Sequence, residues 1–500
     1  MSDTWSAASV FPLFPAGFRR CHASAPAGSI QQSPESPPGE RPPSSVLNDR
    51  PFAFLCWCRA PTRNPNPASA PRARRDAVVP PRPVGATVTF TSRIEVDLSA
   101  VERNVAVLRR AIGPATALCA VLKADGYGLG AVRLAKRLAI AGLEMIAVYT
   151  PDQARALVDA SLPGNLPILI LMPVRELERA DPLYRALITG QVHLTLHDHD
   201  TFNAVADIAQ ALGVTVPVHV EVDTGMSRGG AAPADALTLI TRAAEHPRLR
   251  LAGIFTHCAA SDSDAAQTRA QAESFDRLLD AASSRIPKDC LIHQASTHGC
   301  FRSRALHRRM VRIGHGLLGY AAEDFADPHN IELLTLASEL HPAVRWVSRI
   351  VQTKWIEPGT PVGYGCTWRA KRRTRLALVP VGYADGYPRQ LSNKARVGVE
   401  LASGLRAYVP QIGTVSMDQI TIDLTDLPET GLGVGSWVEI VGNDRTAPNH
   451  LPTLAKQAGT ITHELLCRFG PRVPRHYIAL EETRPDTGNA GATFRVAQVA

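Results

Sequence analysis

The chain has 500 residues, of which 45% are hydrophobic, and it carries a formal net charge of +8. This length allows two or three domains, each with its own core. Residues 1–90 hold ten arginines, five acidic residues and no lysine, which leaves a net charge of only +3 for the rest. Most of the excess positive charge therefore lies in residues 1–90, and the rest of the chain gives little reason to expect nucleic-acid binding.

Residues 1–90 also contain 16 of the 39 prolines. Such a composition cannot readily bury enough apolar surface to offset the entropy of ordering, so we predict a disordered Pro/Arg-rich extension. It could be an organellar transit peptide, although it lacks an amphipathic period, or the product of a translation start placed too far upstream. No run resembles a signal peptide or a membrane span of about 20 residues, so we predict a cytoplasmic protein without membrane contact.

The cysteines show no metal-binding or redox spacing. Of the nine, three lie in the extension, and the others are scattered without a CxxC pair. They are Cys119, Cys258, Cys290, Cys300, Cys366 and Cys467. This pattern suits a reducing compartment and predicts no metal site.

Short apolar runs alternate with helix-length stretches between about residues 112 and 320. The runs are Ala117–Leu122, Met145–Tyr149, Pro167–Met172, Val192–Leu196, Val216–Val222, Leu251–His257, Cys290–Ala295 and Val311–Leu318. Near-continuous hydrophobic strands are typical of a parallel sheet covered on both faces. Eight of them predict a TIM-like (β/α)8 barrel over residues 91–335, with a doubly wound open sheet as the alternative. The first strand, 92–98, could instead join the following domain.

The composition changes after the predicted barrel. Residues 340–445 are rich in Val, Ile and Thr and are interrupted by turn signals such as Pro358-Gly359 and Asp385-Gly386. Helical periodicity returns only from Asn449 to Arg468. We predict a mainly β domain over residues 340–485, closed by one helix, and a loose tail over 486–500.

Polar residues lie at or just after the carboxyl ends of predicted strands, or along the eighth strand, and barrel active sites form at this end. These are Lys123, Asp223 to Arg228, His257, Ser296 with Thr297, and Arg312 to Gly316. Each taken alone has an ordinary structural explanation as a surface charge, a capping residue or a rim histidine. A lysine at the end of a buried strand beside a glycine-rich turn is, however, well placed to form a Schiff base with a carbonyl cofactor.

Ordered segments between residues 92 and 476 carry a family resemblance. They are Ser92–Leu98, Val121–Gly128, Val222–Arg228, Phe255–His257, Arg312–Gly314, Val381–Tyr387, Gly413–Gln419 and Pro471–Arg475. As an ordered set they resemble alanine racemases, which are dimeric pyridoxal-5'-phosphate isomerases that pair a barrel with a β domain.

The resemblance implies two acid–base groups. Lys123 would hold the cofactor and act on one face of the substrate Cα, and Tyr383 of the second subunit in a homodimer would act on the other. Arg312 would contact the pyridine nitrogen, and because a guanidinium does not give up its proton, the ring would be a weaker electron sink. His257 would lie between Arg312 and Tyr383.

The resemblance also assigns binding residues. Those for the cofactor are Lys123, Tyr127, His257, Ser296, Thr297, Arg312, Gly314 and His315. Arg228, Met417 and Asp418 would contact the substrate, with Met417 and Asp418 coming from the partner subunit. Two positions depart from the family pattern: Glu221 replaces a lysine that is carbamylated in several members, and Pro471 replaces an aromatic phosphate contact. We therefore hypothesise that Glu221 orients Arg228 without carbamylation.

The predicted function is interconversion of L- and D-alanine, supplying D-alanine for bacterial wall synthesis or consuming it. A broad-specificity amino acid racemase is an alternative, although such enzymes are usually exported. A non-catalytic pyridoxal-phosphate protein built on the barrel alone is another, but it would need neither the β domain nor Tyr383.

Overall fold

A computed structural model describes residues 91–321, 330–401, 403–480 and 496–498. Strand β1 (Ser92–Asp97) and helix α1 (Leu98–Ile112) precede eight parallel strands that close into a barrel in chain order. These strands are β2 (Ala117–Val121), β3 (Met145–Val148), β4 (Ile168–Pro173), β5 (Val192–Leu196), β6 (Val216–Val222), β7 (Leu249–Thr256), β8 (Leu291–His293) and β9 (Met310–Ile313). All four residues of β3 are buried, as a strand covered on both faces requires.

Helices cover the outside of the barrel. After a left-handed turn, α2 (Lys123–Gly128), they are α3 (Ala131–Ile140), α4 (Pro151–Asp159), α5 (Leu183–Ile188), α6 (His199–Leu212), α7 (Pro233–Glu245), α8 (Ala265–Ala281), α9 (Thr297–Arg302) and α10 (Ile331–Ser338). Sequence signals set several of their starts. Thr150 and Gln153 form a capping box on α4, and Asp198 caps α6 through the Thr201 amide.

The second domain is a ten-stranded sheet with two short helices. Its further strands are β10 (Val344–Arg349), β11 (Gln352–Ile356), β14 (Thr374–Val379), β15 (Arg396–Glu400), β16 (Arg406–Ile412), β17 (Ile420–Asp423), β18 (Trp437–Val441), β19 (Arg475–Leu480) and β20 (Val496–Gln498). Strands β12 (Pro361–Val362) and β13 (Trp368–Arg369) form a separate pair. The helices are α11 (Leu451–Ala458) and α12 (Thr462–Arg468).

Strand β1 belongs to this second sheet. It pairs antiparallel with β10 and parallel with β19, so the chain enters the barrel from the β domain. The predicted fold, a TIM-like barrel followed by a mainly β domain, is confirmed. The predicted extension 1–90 lies outside the described residues, and of the predicted tail 486–500 only the three residues of β20 are described.

Two element predictions were wrong in detail. The run Val311–Leu318 is not one strand, because β9 ends at Ile313 and His315–Leu318 forms a 3-10 turn after Gly314. The single helix predicted over Asn449–Arg468 is two helices, since Gly459 adopts φ 72° and ends α11.

A buried ion-pair cluster fastens β1, β10, β16 and β18 together. Glu439, whose side chain is 3% exposed, pairs with Arg345 at 2.5 Å and with Arg406 at 3.0 Å. Arg345 also reaches Glu95 at 3.2 Å. The cluster therefore ties the strand that leads into the barrel to the sheet of the second domain.

Replacing Glu439 with alanine should lower the free energy of unfolding by about 2–4 kcal/mol, because it leaves two arginines without their shared carboxylate while they keep partial contact with water. Chemical denaturation of the purified protein measures this. Asp426, which pairs with Arg372 on the surface, provides the control, and its replacement by alanine should change little. Equal destabilisation by the two variants would contradict this account of the cluster.

Among the described residues, no helix is both long and apolar enough to cross a membrane.

Candidate active site

The chain makes a left-handed turn directly after β2. Residues Ala124 to Tyr127 all have positive φ, between 52° and 62°, and three of these four are not glycine. Each such residue costs about 1–2 kcal/mol relative to a right-handed conformation. The turn is held by a hydrogen bond from the Gly126 amide to Leu122 and one from the Ala131 amide to the Asp125 carboxylate, 2.9 and 2.8 Å. It places Lys123 at the barrel mouth and buries Tyr127, which is 5% exposed.

Lys123 stands in a positively charged environment. Its side chain keeps solvent contact in a single chain, but the surrounding protein lowers its pKa, and the charges of Arg228 and Arg312 lower it further. A lysine with a lowered pKa has a larger neutral fraction, which both nucleophilic attack and proton transfer require.

Arg312 is buried inside the barrel at 5% exposure, and β9 directs it towards the neighbouring strands. Its Nη1 donates to His293 Nδ1 at 2.8 Å, and its Nη2 donates to the Thr256 carbonyl at 2.8 Å and to His257 Nδ1 at 3.3 Å. The guanidinium also lies over the Phe255 ring, 5.0 Å from its centroid. These contacts fix the orientation of Arg312 without any carboxylate.

His257 is held neutral beside this arginine. Burial lowers the pKa of His257 to about 3, and Arg312, Arg228 and Lys123 add to the effect. Because Nδ1 accepts from Arg312, the ring proton resides on Nε2. His257 thus offers an N–H donor on the side away from Arg312. The structure brings together Lys123, His257 and Arg312, which the sequence placed on different strands.

Tyr127, Thr297 and Gly314 converge on a small cradle next to this group. Thr297 Oγ1 accepts from the Gly314 and Gly316 amides at 3.3 and 3.4 Å. A Cβ added at Gly314 would lie 2.0 Å from the Tyr127 hydroxyl, so only glycine fits there. Backbone amides and hydroxyls at the last strands of a barrel are the groups that hold a phosphate, so the cradle fits a phosphate-bearing cofactor.

Histidines and a serine complete the surroundings of the cradle. The Nε2 atom of His315 is buried without a hydrogen-bond partner among the described residues, and its ring lies 3.9 Å from that of His463. Ser296 is the N-cap residue of α9, but its side chain does not cap the helix. His463 was missed by sequence reasoning because it comes from α12 of the other domain.

A substitution of Gly314 by alanine tests the cradle. The added methyl group would displace Tyr127, so we expect the dissociation constant for pyridoxal phosphate to rise at least about tenfold while the protein still folds. Cofactor titration followed by absorbance measures this. Gly433→Ala is the matched control, since nothing lies within 4 Å of a Cβ there. Unchanged affinity in Gly314→Ala would place the phosphate elsewhere.

Tyr383, Met417 and Asp418 form a second group on the β domain. The Tyr383 amide donates to the Ser416 carbonyl at 3.1 Å, and Tyr383 and Met417 are 45% and 53% exposed. Arg472 bridges Asp418 and the buried Asp385, both at 2.8 Å. No hydrogen bond among the described residues joins Tyr383 to Lys123 of its own chain. The sequence had assigned Tyr383, Met417 and Asp418 to the same site as Lys123, with the two sets of residues coming from different subunits.

The partner of Glu221 in the structure is a histidine that the sequence analysis did not name, and the hypothesis that Glu221 orients Arg228 stays a prediction. Glu221 pairs with His197 at 3.0 Å, and within the described part of the chain it makes no ion pair with Arg228. The loop that carries Arg228 is instead held by Asp223, whose Oδ1 accepts from the amides of Gly225, Met226 and Ser227. Sequence reasoning missed His197 because it follows a different strand, β5.

Two family models match the chain. The model described as "Alanine racemase, N-terminal domain" matches residues 96–322, and "Alanine racemase, C-terminal domain" matches residues 343–477. The alanine racemase of Cutibacterium acnes is 35% identical over 392 residues, which cover 77% of this chain and 96% of that protein. The chain belongs to the alanine racemase family.

Solved alanine racemases have the same architecture. The structure from a D-cycloserine-producing Streptomyces lavendulae has a TM-score of 0.68 and 29% identity, over 78% of this chain and 97% of its own. The structure from Bartonella henselae, which contains covalently bound pyridoxal phosphate, has a TM-score of 0.64 and 27% identity, over 78% and 100%. The N-terminal match contains Lys123, His257 and Arg312, and the C-terminal match contains Tyr383, Met417 and Asp418.

Proposed function

We propose that this protein interconverts L- and D-alanine with pyridoxal phosphate attached covalently to Lys123. The observation that carries the proposal is the convergence of Lys123, the Arg312–His257 pair and the Gly314 cradle at one barrel mouth. When bound, the cofactor supplies an electron sink that makes the substrate Cα proton acidic.

Arg312 would face the ring nitrogen of the cofactor. Its guanidinium donates hydrogen bonds but does not release its proton, so the ring nitrogen is held without being protonated. This limits how much negative charge the ring can accept and favours prompt return of the proton to Cα. We infer that the site disfavours side reactions of the substrate and favours simple proton exchange.

Two groups would move the proton at Cα. Lys123 removes or returns it on one face, and Tyr383 does so on the other, because inversion requires a donor on the face opposite the base. His257 offers its Nε2–H, which could stabilise the phenolate form of Tyr383. The lowered pKa of Lys123 suits its role as a base.

The second group would come from the partner subunit of a homodimer. Tyr383 and Met417 are exposed on two loops joined by backbone hydrogen bonds, and Tyr383 makes no hydrogen bond to the Lys123 of its own chain within the described residues. In a two-fold dimer each chain would present Tyr383, Met417 and Asp418 to the site of the other. Arg228 would bind the substrate carboxylate.

Incubation of the purified protein with pyridoxal phosphate and L-alanine tests the function. Chiral chromatography should show D-alanine forming until the two enantiomers are equal, and the reverse reaction should reach the same mixture. Comparable rates with serine, lysine and arginine would favour the broad-specificity alternative. Bound cofactor without any D-alanine would contradict the proposal and favour a non-catalytic cofactor-binding protein.

A further inference from the structure

Three buried histidines form a continuous hydrogen-bonded chain inside the barrel. His193 on β5 lies 2.9 Å from His219 on β6, joined Nδ1 to Nε2, and His219 lies 3.0 Å from His293 on β8, again Nδ1 to Nε2. Their exposures are 5%, 0% and 0%. The chain ends at Arg312, whose Nη1 is 2.8 Å from His293 Nδ1.

The direction of every hydrogen bond in the chain follows from Arg312. A guanidinium can only donate, so His293 Nδ1 accepts and His293 must carry its proton on Nε2. That N–H donates to His219 Nδ1, and by the same logic His219 Nε2–H donates to His193 Nδ1. A hydrogen bond to the Gly190 backbone, which favours the protonated form of His193, fits a carbonyl that accepts from its Nε2. All three rings are therefore fixed as one tautomer and point the same way.

The barrel makes room for the chain. A Cβ added at Gly253 would lie 2.1 Å from His219 Nδ1, so β7 can pass His219 only with a glycine at that position. The pairing of β6 with β7 also shifts register between Val218 and His219. His219 thus occupies a space that exists because residue 253 is glycine and because the pairing of β6 with β7 shifts register beside it.

Arg312 needs such support because of where it lies. It is buried, and among the described residues no carboxylate lies within ion-pair distance of it, although the charge of Glu221 favours its protonated form from further away. A buried charge without an opposite charge is costly unless dipoles around it compensate. The aligned histidines present their acceptor ends to the guanidinium, and hydrogen bonds in a row polarise one another. Burial lowers the pKa of each histidine, which keeps the chain neutral and avoids repulsion of Arg312.

We propose that His193, His219 and His293 are positioning residues that act through Arg312. The tautomer-locked chain holds the guanidinium in place and stabilises its charge at the end that would face the cofactor ring. The proposal rests on the proposed function for its catalytic consequence, but the chain itself does not depend on that function. His193 is the residue that extends the chain furthest from the site.

Histidine tautomers can be observed directly by ¹⁵N NMR of protein labelled at its histidine rings. In the wild-type holoenzyme, we expect three buried rings in the Nε2–H form that keep this form between about pH 6 and pH 8. In His193→Leu, Arg312 still fixes the tautomers, so His219 should keep its Nε2–H form. That N–H loses its acceptor, so its ¹⁵N and ¹H signals should move towards those of an N–H group without a hydrogen bond. The kcat for alanine should fall about tenfold with KM little changed, because a buried hydrogen bond supporting a charged group is lost.

Two further variants separate positioning from packing. His193→Gln offers an amide oxygen of similar reach as acceptor, so it should restore the His219 Nε2–H signal and most of kcat. His246→Leu, on a half-buried histidine outside the chain, should leave the tautomers and kcat unchanged. If any of the three rings is in the Nδ1–H form in the wild type, if His193→Leu leaves the His219 Nε2–H signal as in the wild type, or if Gln and Leu reduce kcat equally, the proposal is wrong. A protein that shows the locked tautomers but forms no D-alanine would overturn the proposed function and keep the chain.

Discussion

Replacing Lys123 with alanine is expected to abolish alanine racemisation, lowering kcat by at least about a thousandfold, because one residue both attaches the cofactor and moves a proton. The structure gives the physical reason. Lys123 projects from a left-handed turn into a mouth where neighbouring arginines and the surrounding protein lower its pKa. No other lysine is placed in this group by the sequence or by the described residues.

The measurement should separate attachment from folding. After borohydride reduction, peptide mapping of the wild type should locate the cofactor on Lys123, and Lys123→Ala should carry none. Lys136→Ala, on the exposed side of α3, is the matched control and should keep both cofactor and activity. A cofactor mapped to any other lysine, or substantial racemisation by Lys123→Ala, would be incompatible with the assigned site.

The second large effect is expected for Tyr383→Phe. Removal of the hydroxyl takes away one of two acid–base groups, so kcat should fall about 10²- to 10⁴-fold in both directions, the usual contribution of such a group. Exchange of the Cα proton on the Lys123 face should persist, because that face keeps its base. Proton NMR in D₂O with each enantiomer should therefore show exchange with one enantiomer to be reduced much more than with the other. Tyr364→Phe, which alters another exposed tyrosine, should change neither rate.

Mixed dimers test whether Tyr383 acts across the subunit interface. A dimer of one Lys123→Ala chain and one Tyr383→Phe chain contains one intact site if the tyrosine comes from the partner, and none if both residues come from the same chain. Random mixing should thus restore about a quarter of wild-type activity, as expected for a two-fold dimer with shared sites. Activity no higher than the sum of the two parent variants would show that the site lies within one chain.

The barrel could be predicted because each strand is a short hydrophobic run bounded by turn residues, and this pattern survives in the sequence. Ends of elements were less predictable. Residues 315–318 are as apolar as a strand, but Gly314 breaks the extended backbone and a 3-10 turn follows. Similarly, one helical period crosses Gly459, whose left-handed conformation divides α11 from α12.

The place of a site residue was predictable where its own position on a strand indicates it. The contact partner of a residue was less predictable, because it depends on which other side chain the fold brings near. Lys123 follows β2 and Arg312 lies in β9 next to its carboxyl end, so their convergence follows from barrel topology. The partner of Glu221 depended on which neighbouring strand supplies a side chain, and it proved to be His197. The histidine chain was missed because His193, His219 and His293 lie on different strands with no common motif. Only the barrel brings the facing nitrogen atoms of neighbouring rings within 3.0 Å of each other.

The most direct test of the central claim, proton exchange by two groups on opposite faces of Cα, is the early reaction of L-alanine in D₂O. The account predicts that D-alanine formed at low conversion carries deuterium at Cα while the remaining L-alanine is still largely protonated, because the proton leaves on one face and a solvent-derived deuteron enters on the other. D-alanine that retains the original proton would indicate a single base acting on both faces and would contradict the account.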